Sequence, residues 1–168
     1  MDCIENVKIK GGYLPGSVGR IAELHGVYYH ENWDFELYFE TKVAVELSEF
    51  MRRYNKEQDR LFTAVLDKRI EGSIVIDGLH SDTKGAHLRW FIVSNRIRGK
   101  GVGSRLIEKA VCFCRERKYK KIYLWTFEGL DAAKHLYLKQ GFELAEQREG
   151  IHWGKRVNEQ RFELTMSP

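Results

Sequence analysis

The chain has 168 residues, a length typical of one domain, and 43% of them are hydrophobic, which excludes wholesale disorder. No apolar stretch approaches the roughly 18 residues that a membrane-spanning helix needs, and the first ten residues lack the pattern of a signal peptide. The net charge is only +4, and we expect one soluble globular domain over residues 1–168, with no membrane contact and a cytoplasmic location.

The charges are distributed unevenly along the chain. Residues 96–121 carry ten Lys or Arg against two acids, whereas residues 31–50 carry six acids against one lysine. Such runs are often solvated faces of helices. They are equally consistent with a bipolar protein that binds an anionic ligand at one pole and a cationic ligand at the other, so both interpretations stay open.

The three cysteines predict neither a disulfide framework nor a metal site. Cys3, Cys112 and Cys114 are odd in number, and their spacings match no disulfide pattern. Cys112 and Cys114 lie two residues apart in a predicted helix, so their side chains point about 200° apart and cannot share a metal ion easily. We expect ordinary thiols in a reducing cytoplasm.

The N-terminal part of the chain predicts one short strand and two helices. Residues 7–9 are expected to form the strand, before a glycine break and a Pro-Gly turn. Ser17 is expected to cap a helix that runs to about Tyr29, and a second helix is expected to begin after Thr41. Between the helices, residues 33–39 alternate between apolar and polar side chains over too short a length to assign.

The remainder of the chain mixes strands and helices without strict alternation. Residues 61–66 and 70–76 predict a hairpin, and the apolar segment 86–93 predicts a central strand. The elements expected after it are a helix over 101–117, a strand over 121–126, a helix over 130–139 with Gly141 at its C-cap, and strands beginning at 142 and spanning 161–164. The pattern predicts an α/β fold with a mixed sheet.

The most informative segment is the glycine-rich turn VSNRIRGKGVGSR at residues 93–105, between an apolar strand and an amphipathic helix. The first N–H groups of a helix lack internal partners and lie at the positive end of its dipole, so this junction favours an anion. Three glycines allow close approach and three basic residues add charge: Gly99, Gly101 and Gly103, with Arg98, Lys100 and Arg105. A pyrophosphate fits this chemistry best; a solvated loop with a capping glycine is the alternative.

The spacing of these glycines distinguishes between phosphate-binding motifs. The Walker motif needs GxxxxGK before Ser or Thr, and the dinucleotide fingerprint needs GxGxxG, whereas the spacing here is GxGxG. The segment from Arg98 to Gly103 matches instead the acyl-CoA signature Arg/Gln-x-x-Gly-x-Gly/Ala. A second segment, from Tyr137 to Phe142, resembles a Tyr-x-x-x-Gly-Phe pattern, with Ala133 one turn earlier. Together these motifs resemble the GNAT superfamily of N-acetyltransferases.

The resemblance implies a fold and a narrower relationship. The family's order of elements is met over residues 86–144, which implies a mixed, mostly antiparallel central sheet flanked by helices. The segments LRWFIV, LWT and LDAAKHLY also resemble the acetyltransferase half of MarR–GNAT fusion proteins. The chain is therefore expected to form a single acyl-CoA N-acyltransferase domain.

The resemblance also implies how acetyl-CoA is bound, without a metal ion. Tyr137 is implied as the general acid that protonates the departing CoA thiolate. The resemblance implies that the CoA pyrophosphate binds to the backbone N–H groups of Arg98, Gly99, Lys100, Gly101, Val102, Gly103 and Ser104. It implies that the pantetheine arm pairs with the backbone of Phe91, Ile92 and Val93. One departure is Leu130, where family members often have an Asn whose amide contacts the cofactor.

The expected reaction transfers an acetyl group to a primary amine by direct attack. The amine belongs to a small metabolite, an amino acid, or a peptide or protein. A general base is needed because an alkyl amine with a pKa near 10.4 must first lose a proton. Four residues are candidates with no choice made between them: Glu23, His25, Glu36 and Glu71.

Three further residues have two interpretations each. Arg89, on the predicted central strand, either binds a substrate carboxylate or pairs with a neighbouring acid. Trp90 and Trp125 are expected in the core rather than as binding platforms.

Two other function classes are alternatives to the enzyme. One is a non-catalytic acyl-CoA-binding sensor, against which Tyr137 argues. The other is nucleic-acid binding, which we do not expect because the basic stretch 96–121 lacks an aromatic stacking series and no helix-turn-helix pattern is present. Homodimerisation is left open.

Overall fold

The computed structural model describes residues 6–168, so the expectation for Cys3 lies outside the described residues. Within that range the chain forms a seven-stranded sheet with four helices. The elements are β1 Lys8–Gly11, α1 Ser17–Trp33, α2 Leu37–Arg52, β2 Arg60–Leu66, β3 Arg69–Asp77, β4 Ala86–Val93, α3 Val102–Glu116, β5 Lys121–Phe127, α4 Asp131–Lys139, β6 Glu143–Gly150 and β7 Val157–Thr165.

The strand order confirms the predicted fold class. The order is β1-β2-β3-β4-β5-β7-β6, and every neighbouring pair is antiparallel except β4 with β5. The strand β4 is central, as predicted. The hairpin of β2 and β3 is also confirmed, and its turn places Asp67 and Lys68 at φ 49° and 65°, as expected of a tight hairpin turn.

The sheet separates two helical layers. Successive side chains of β3 point to opposite faces, so Ile74 and Ile76 pack into the core that contains α3 residues, while Val75 packs with residues of α1 and α2. No helix in residues 6–168 has the length and apolar character to cross a membrane. The strands β4 and β5, where the pairing changes from antiparallel to parallel, lie between these two layers.

The boundaries of the first two helices differ from those expected. Ser17 does not cap α1: Gly16 is the N-cap at φ 89°, and the Ser17 hydroxyl donates to the Leu14 carbonyl instead. The helix α1 runs on to Trp33, four residues beyond Tyr29, and ends at Asp34 in the left-handed region. The helix α2 then begins at Leu37 rather than after Thr41, because Phe35 and Phe39 are buried together against the end of β5.

The two described cysteines are free thiols. Cys114 is buried, and its burial raises the pKa of the thiol to about 12, whereas Cys112 is exposed. No group of three or more His, Cys, Asp or Glu side chains among residues 6–168 is arranged to hold a metal ion.

Candidate active site

A gap in the centre of the sheet creates the site. The strands β4 and β5 pair only where Ala86 lies opposite Ile122 and His87 opposite Tyr123. Beyond these residues the strands separate, and the gap is part of a cavity of about 770 Å³. The glycine turn and α3 border this cavity on one side of the sheet, and α1, α2 and the loop between β6 and β7 border it on the other.

A bulge in β4 faces the gap. Ser73 lies opposite Ile92 and Val75 opposite Arg89, so one residue of β3 faces two of β4. Trp90 takes the left-handed φ of 46°, and its carbonyl accepts a hydrogen bond from the Ser73 hydroxyl at 2.7 Å. Because β5 has diverged here, the backbone of β4 has an edge available for another extended chain. The three residues predicted to contact pantetheine line the cavity: Phe91, Ile92 and Val93.

The glycine turn forms the N-terminal end of α3. Gly101 is the N-cap, without a side-chain cap, and both Gly99 and Gly101 have φ 75°, a conformation that favours glycine. The first N–H groups of α3 therefore have no partner within the helix. A Cβ atom at Gly103 would lie 3.0 Å from Leu136 Cδ1 and 3.5 Å from Phe91 Cζ, so this position admits only a very small residue.

Most of the residues predicted to hold the pyrophosphate lie in the cavity wall. The wall includes Arg98, Gly99, Gly101, Gly103 and Ser104. Lys100 and Val102 are not in the wall, and the Val102 side chain is buried in the core with α3. Their predicted contribution through backbone N–H groups stays a prediction.

Arg98 connects the turn to α1. Its Nη2 donates to the Val93 carbonyl at 2.8 Å, and its guanidinium lies 4.6 Å from the centre of the Tyr28 ring. Arg98 thus holds the end of β4 and the turn close to α1, at the border between the two parts of the cavity.

Tyr137 of α4 lies in the cavity wall among aromatic neighbours. Its ring centre is 6.0 Å from that of Phe91, and only 5% of the residue is exposed. Burial, and to a smaller extent the proximity of Tyr29, raises the pKa of the Tyr137 hydroxyl well above its usual value. The hydroxyl therefore stays protonated and can serve as a proton donor. Leu130 also lies in the wall, where it offers no polar group.

The opposite part of the cavity carries a cluster of charges on α2 and β4. Glu46 accepts from Arg89 Nη2 at 2.6 Å and from Lys42 Nζ at 2.5 Å, and Arg89 Nη1 is 3.6 Å from Asp77. The guanidinium of Arg89 also lies 4.0 Å from the centre of the Trp90 ring. Arg89 is thus paired with acids, as one of its two interpretations predicts, and it also faces the cavity. The binding of a substrate carboxylate by Arg89 stays a prediction.

The four candidate bases divide between wall and surroundings. His25 lies in the wall, where burial lowers its pKa to about 4 despite a contact of its ring with the Ile21 carbonyl, so it is neutral at pH 7. Glu23, Glu36 and Glu71 are not in the wall. Glu71 is instead fully buried between two arginines.

Several wall residues were not singled out from the sequence. Glu46 is the member of the acidic run 31–50 that faces the cavity, while His87 and His152 lie on β4 and on the loop before β7. Only the acidic run gave a signal, for Glu46. The expectation that Trp90 and Trp125 belong to the core is wrong in part, because both are half-buried and line the cavity.

The profile of the Acetyltransferase (GNAT) family matches residues 19–142, about three-quarters of the chain. The chain belongs to the GNAT family. Among curated proteins, this GNAT domain is 29% identical over 116 residues to the human N-acetylaspartate synthetase. That match covers 68% of the chain but only 38% of the human protein.

Solved structures share the fold of this GNAT domain. A probable acetyltransferase from Staphylococcus epidermidis superposes with a TM-score of 0.75 at 15% identity, covering 96% of this chain and 99% of that one. A GNAT acetyltransferase from Elizabethkingia anophelis with acetyl-CoA bound gives a TM-score of 0.65 at 13% identity, covering 96% and 99%. The narrower resemblance to MarR–GNAT fusion proteins stays a prediction.

Proposed function

We propose that residues 1–168 form a single acyl-CoA N-acyltransferase domain that moves an acetyl group from acetyl-CoA to a primary amine. The observation that carries the proposal is the position of the glycine turn: the N-terminus of α3 opens onto the gap between β4 and β5. A ligand whose anionic group binds at that helix end can extend along the edge of β4 toward the opposite helical layer.

Acetyl-CoA is the proposed cosubstrate, with no metal ion. The GNAT family uses acetyl-CoA, and the neighbour from Elizabethkingia anophelis has it bound. The backbone N–H groups of residues 98–104 would hold the pyrophosphate, and residues 91–93 would pair with the pantetheine arm as an added strand does. The residues present fit this role, since a Cβ atom at Gly99 or Gly101 would meet nothing within 4 Å, so the turn has open space beside it.

The chemistry is direct attack by the amine nitrogen on the thioester carbonyl. The new C–N bond forms as the C–S bond breaks, the amine gives up a proton to solvent or a base, and the thiolate takes one from Tyr137. A backbone N–H beside the bulge at Trp90 would stabilise the charge that develops on the carbonyl oxygen. Tyr137 suits the acid role because burial keeps its hydroxyl protonated.

Among the acceptor classes, a small amino acid is the one that the charge cluster favours. Arg89 and Lys42 both face the cavity, where they share the Glu46 carboxylate, and Asp77 lies 3.6 Å from Arg89 behind the wall. An acceptor carboxylate can compete for either cation. The name of the human relative, N-acetylaspartate synthetase, points to the same class. Peptide or protein amines are the other acceptors proposed, and no nucleic-acid partner is proposed; a cytoplasmic location and a homodimer stay predictions.

The test is an assay of thiol release from acetyl-CoA against a panel of amines. The panel contains free amino acids, the same amino acids with the carboxyl group converted to an amide, and peptides with a free N-terminal amine. Release with the amino acids but not with their amides supports the proposal in full. Release with peptides alone changes the acceptor class, and binding of acetyl-CoA without any release supports the sensor interpretation instead.

A further inference from the structure

Glu71 of β3 is a fully buried carboxylate outside the cavity wall. Arg96 Nη1 donates to its Oε1 at 2.9 Å, and Arg20 Nη2 donates to its Oε2 at 3.2 Å. Burial opposes ionisation, but the adjacent Ser94 side chain, the hydrogen bond from Arg96 and the charges of Arg20 and Arg96 outweigh it and lower the pKa of Glu71. Because an unpaired buried charge is very costly, the carboxylate and both guanidinium groups hold one another in place.

The two arginines come from different parts of the fold. Arg96 lies in the first part of the glycine-rich turn, between the end of β4 and Gly99, and its Nη2 also donates to Asp67 at 3.0 Å. Arg20 lies on α1, where its Nε donates to the Ile70 carbonyl at 2.8 Å. The carboxylate of Glu71, on β3, therefore joins the first part of the turn to α1.

The backbone of Glu71 holds the same segment. Its carbonyl accepts from the Ser94 N–H at 2.7 Å, and the Ser94 carbonyl in turn accepts from the Ile97 N–H at 3.1 Å. The side chain of Ile97 is fully buried in the core with α3. Residues 94–97 are thus attached to β3 at both the main chain and a side chain, immediately before Arg98.

We infer that Glu71 is a positioning residue for the cofactor: it fixes the start of the glycine turn and thereby the directions of the N–H groups of residues 98–104. Gly99 and Gly101 give the turn itself wide conformational freedom, so its geometry depends on its two ends. One end is α3, and the other is the segment that Glu71 holds. The inference rests on the proposed function, because the CoA pyrophosphate is the group those N–H groups would bind.

The test compares Glu71→Gln with a matched control, Asp59→Asn. Asp59 is also fully buried, accepts from the Gly78 N–H at 2.9 Å, lies 3.9 Å from Arg53 Nη1, and is not in the cavity wall. The dissociation constant for CoA is measured by calorimetry on the full chain, with melting temperatures alongside. Glu71→Gln is expected to raise the dissociation constant about tenfold, whereas Asp59→Asn lowers the melting temperature but leaves CoA binding within about twofold.

A second readout needs no ligand. Amide hydrogen exchange over residues 94–101 is expected to accelerate in Glu71→Gln but not in Asp59→Asn. If Glu71→Gln does not fold, Arg20→Gln carries the same two expectations, since Arg20 touches the carboxylate from α1 and is not in the cavity wall.

Unchanged CoA affinity and unchanged exchange in folded Glu71→Gln would overturn the inference. If the unmodified chain fails to bind CoA, the proposed function fails, while the exchange data still decide whether Glu71 orders the turn.

Discussion

The main-chain N–H of Phe142 donates to the carbonyl of Tyr137 at 3.0 Å, and the centres of the two rings lie 5.9 Å apart. Between them Gly141, at φ 95°, donates to the Leu138 carbonyl at 3.0 Å. These bonds form a Schellman motif, in which Gln140 is the C-cap and Gly141 is the residue after it. Gly141 was expected to be the C-cap itself. The Tyr-x-x-x-Gly-Phe spacing therefore has a physical cause: the turn that ends α4 also sets Tyr137 in the cavity wall.

Replacing the Tyr137 hydroxyl tests its role as the general acid. Tyr137→Phe keeps the ring and removes the proton donor, so kcat is expected to fall at least 100-fold while the dissociation constant for CoA stays within about twofold. Steady-state kinetics and calorimetry measure the two quantities. The matched control is Tyr119→Phe, which removes a hydroxyl that donates to the Gln58 carbonyl away from the cavity. Equal losses of kcat in both variants would contradict the acid role.

The small space at Gly103 predicts a specific loss of cofactor affinity. In Gly103→Ala the new methyl group meets Leu136 Cδ1 at 3.0 Å, so either the Leu136 side chain or the start of α3 has to give by a few tenths of an ångström. The dissociation constant for CoA is expected to rise roughly tenfold. Gly19→Ala is the control, because a Cβ atom there has nothing within 4 Å, and this helical position is expected to gain about 1 kcal/mol of stability.

Much of the cavity wall around the glycine turn could be predicted from the sequence, because it is built from local elements, whereas its role in binding a cofactor stays a prediction. The strand, the glycine turn and α3 are consecutive, so the spacing of Gly99, Gly101 and Gly103 alone indicates an anion site. The hairpin of β2 and β3 follows in the same way from two apolar runs around a short turn. Contacts between neighbours in the chain decide these features.

The acceptor side could not be predicted, because it is assembled from distant segments. Glu46, Arg89 and His152 lie on α2, β4 and the loop before β7, and no short motif joins them. The prediction of where α2 begins was wrong for a related reason. The burial of Phe35 and Phe39 depends on packing against Phe127, about ninety residues later in the chain.

Removal of the Arg89 guanidinium tests the acceptor class. If an acceptor carboxylate binds this group, Arg89→Ala is expected to raise KM for the amino acid roughly tenfold or more and to leave KM for acetyl-CoA unchanged. Initial-rate kinetics with each substrate varied in turn measure both constants. Arg117→Ala, which removes an arginine at the C-cap of α3 that pairs with Glu57, is the control. An unchanged KM for the amino acid would leave Arg89 as a structural partner of Glu46 and Asp77.

Two histidines, the buried His25 and the half-buried His87, predict how the stability of the protein depends on pH. Burial lowers the pKa of His25 to about 4 and that of His87 to about 3, the latter also through the charge of Arg89. Below the unfolded pKa near 6.5, the unfolded chain binds more protons than the folded one. The free energy of unfolding is therefore expected to fall as pH drops from about 6.5 to 4, by up to about 1.4 kcal/mol per pH unit for each histidine.

Denaturant unfolding between pH 4 and 7 measures this dependence. His25→Gln is expected to make the slope shallower, and His80→Gln, at an exposed turn, is expected to leave it unchanged. The same slope in all three proteins would show that His25 does not carry the effect.

The central claim, that the glycine turn binds the pyrophosphate of CoA, is tested most directly by thermal-shift titration of the ligand-free chain. CoA and acetyl-CoA are compared with ATP and NAD, in the unmodified chain and in Gly103→Glu. Stabilisation by the two CoA species alone, about 2.7 kcal/mol at 100 times the dissociation constant and lost in Gly103→Glu, is the predicted result. No response to either CoA species, or an equal response to all four ligands, would contradict the account.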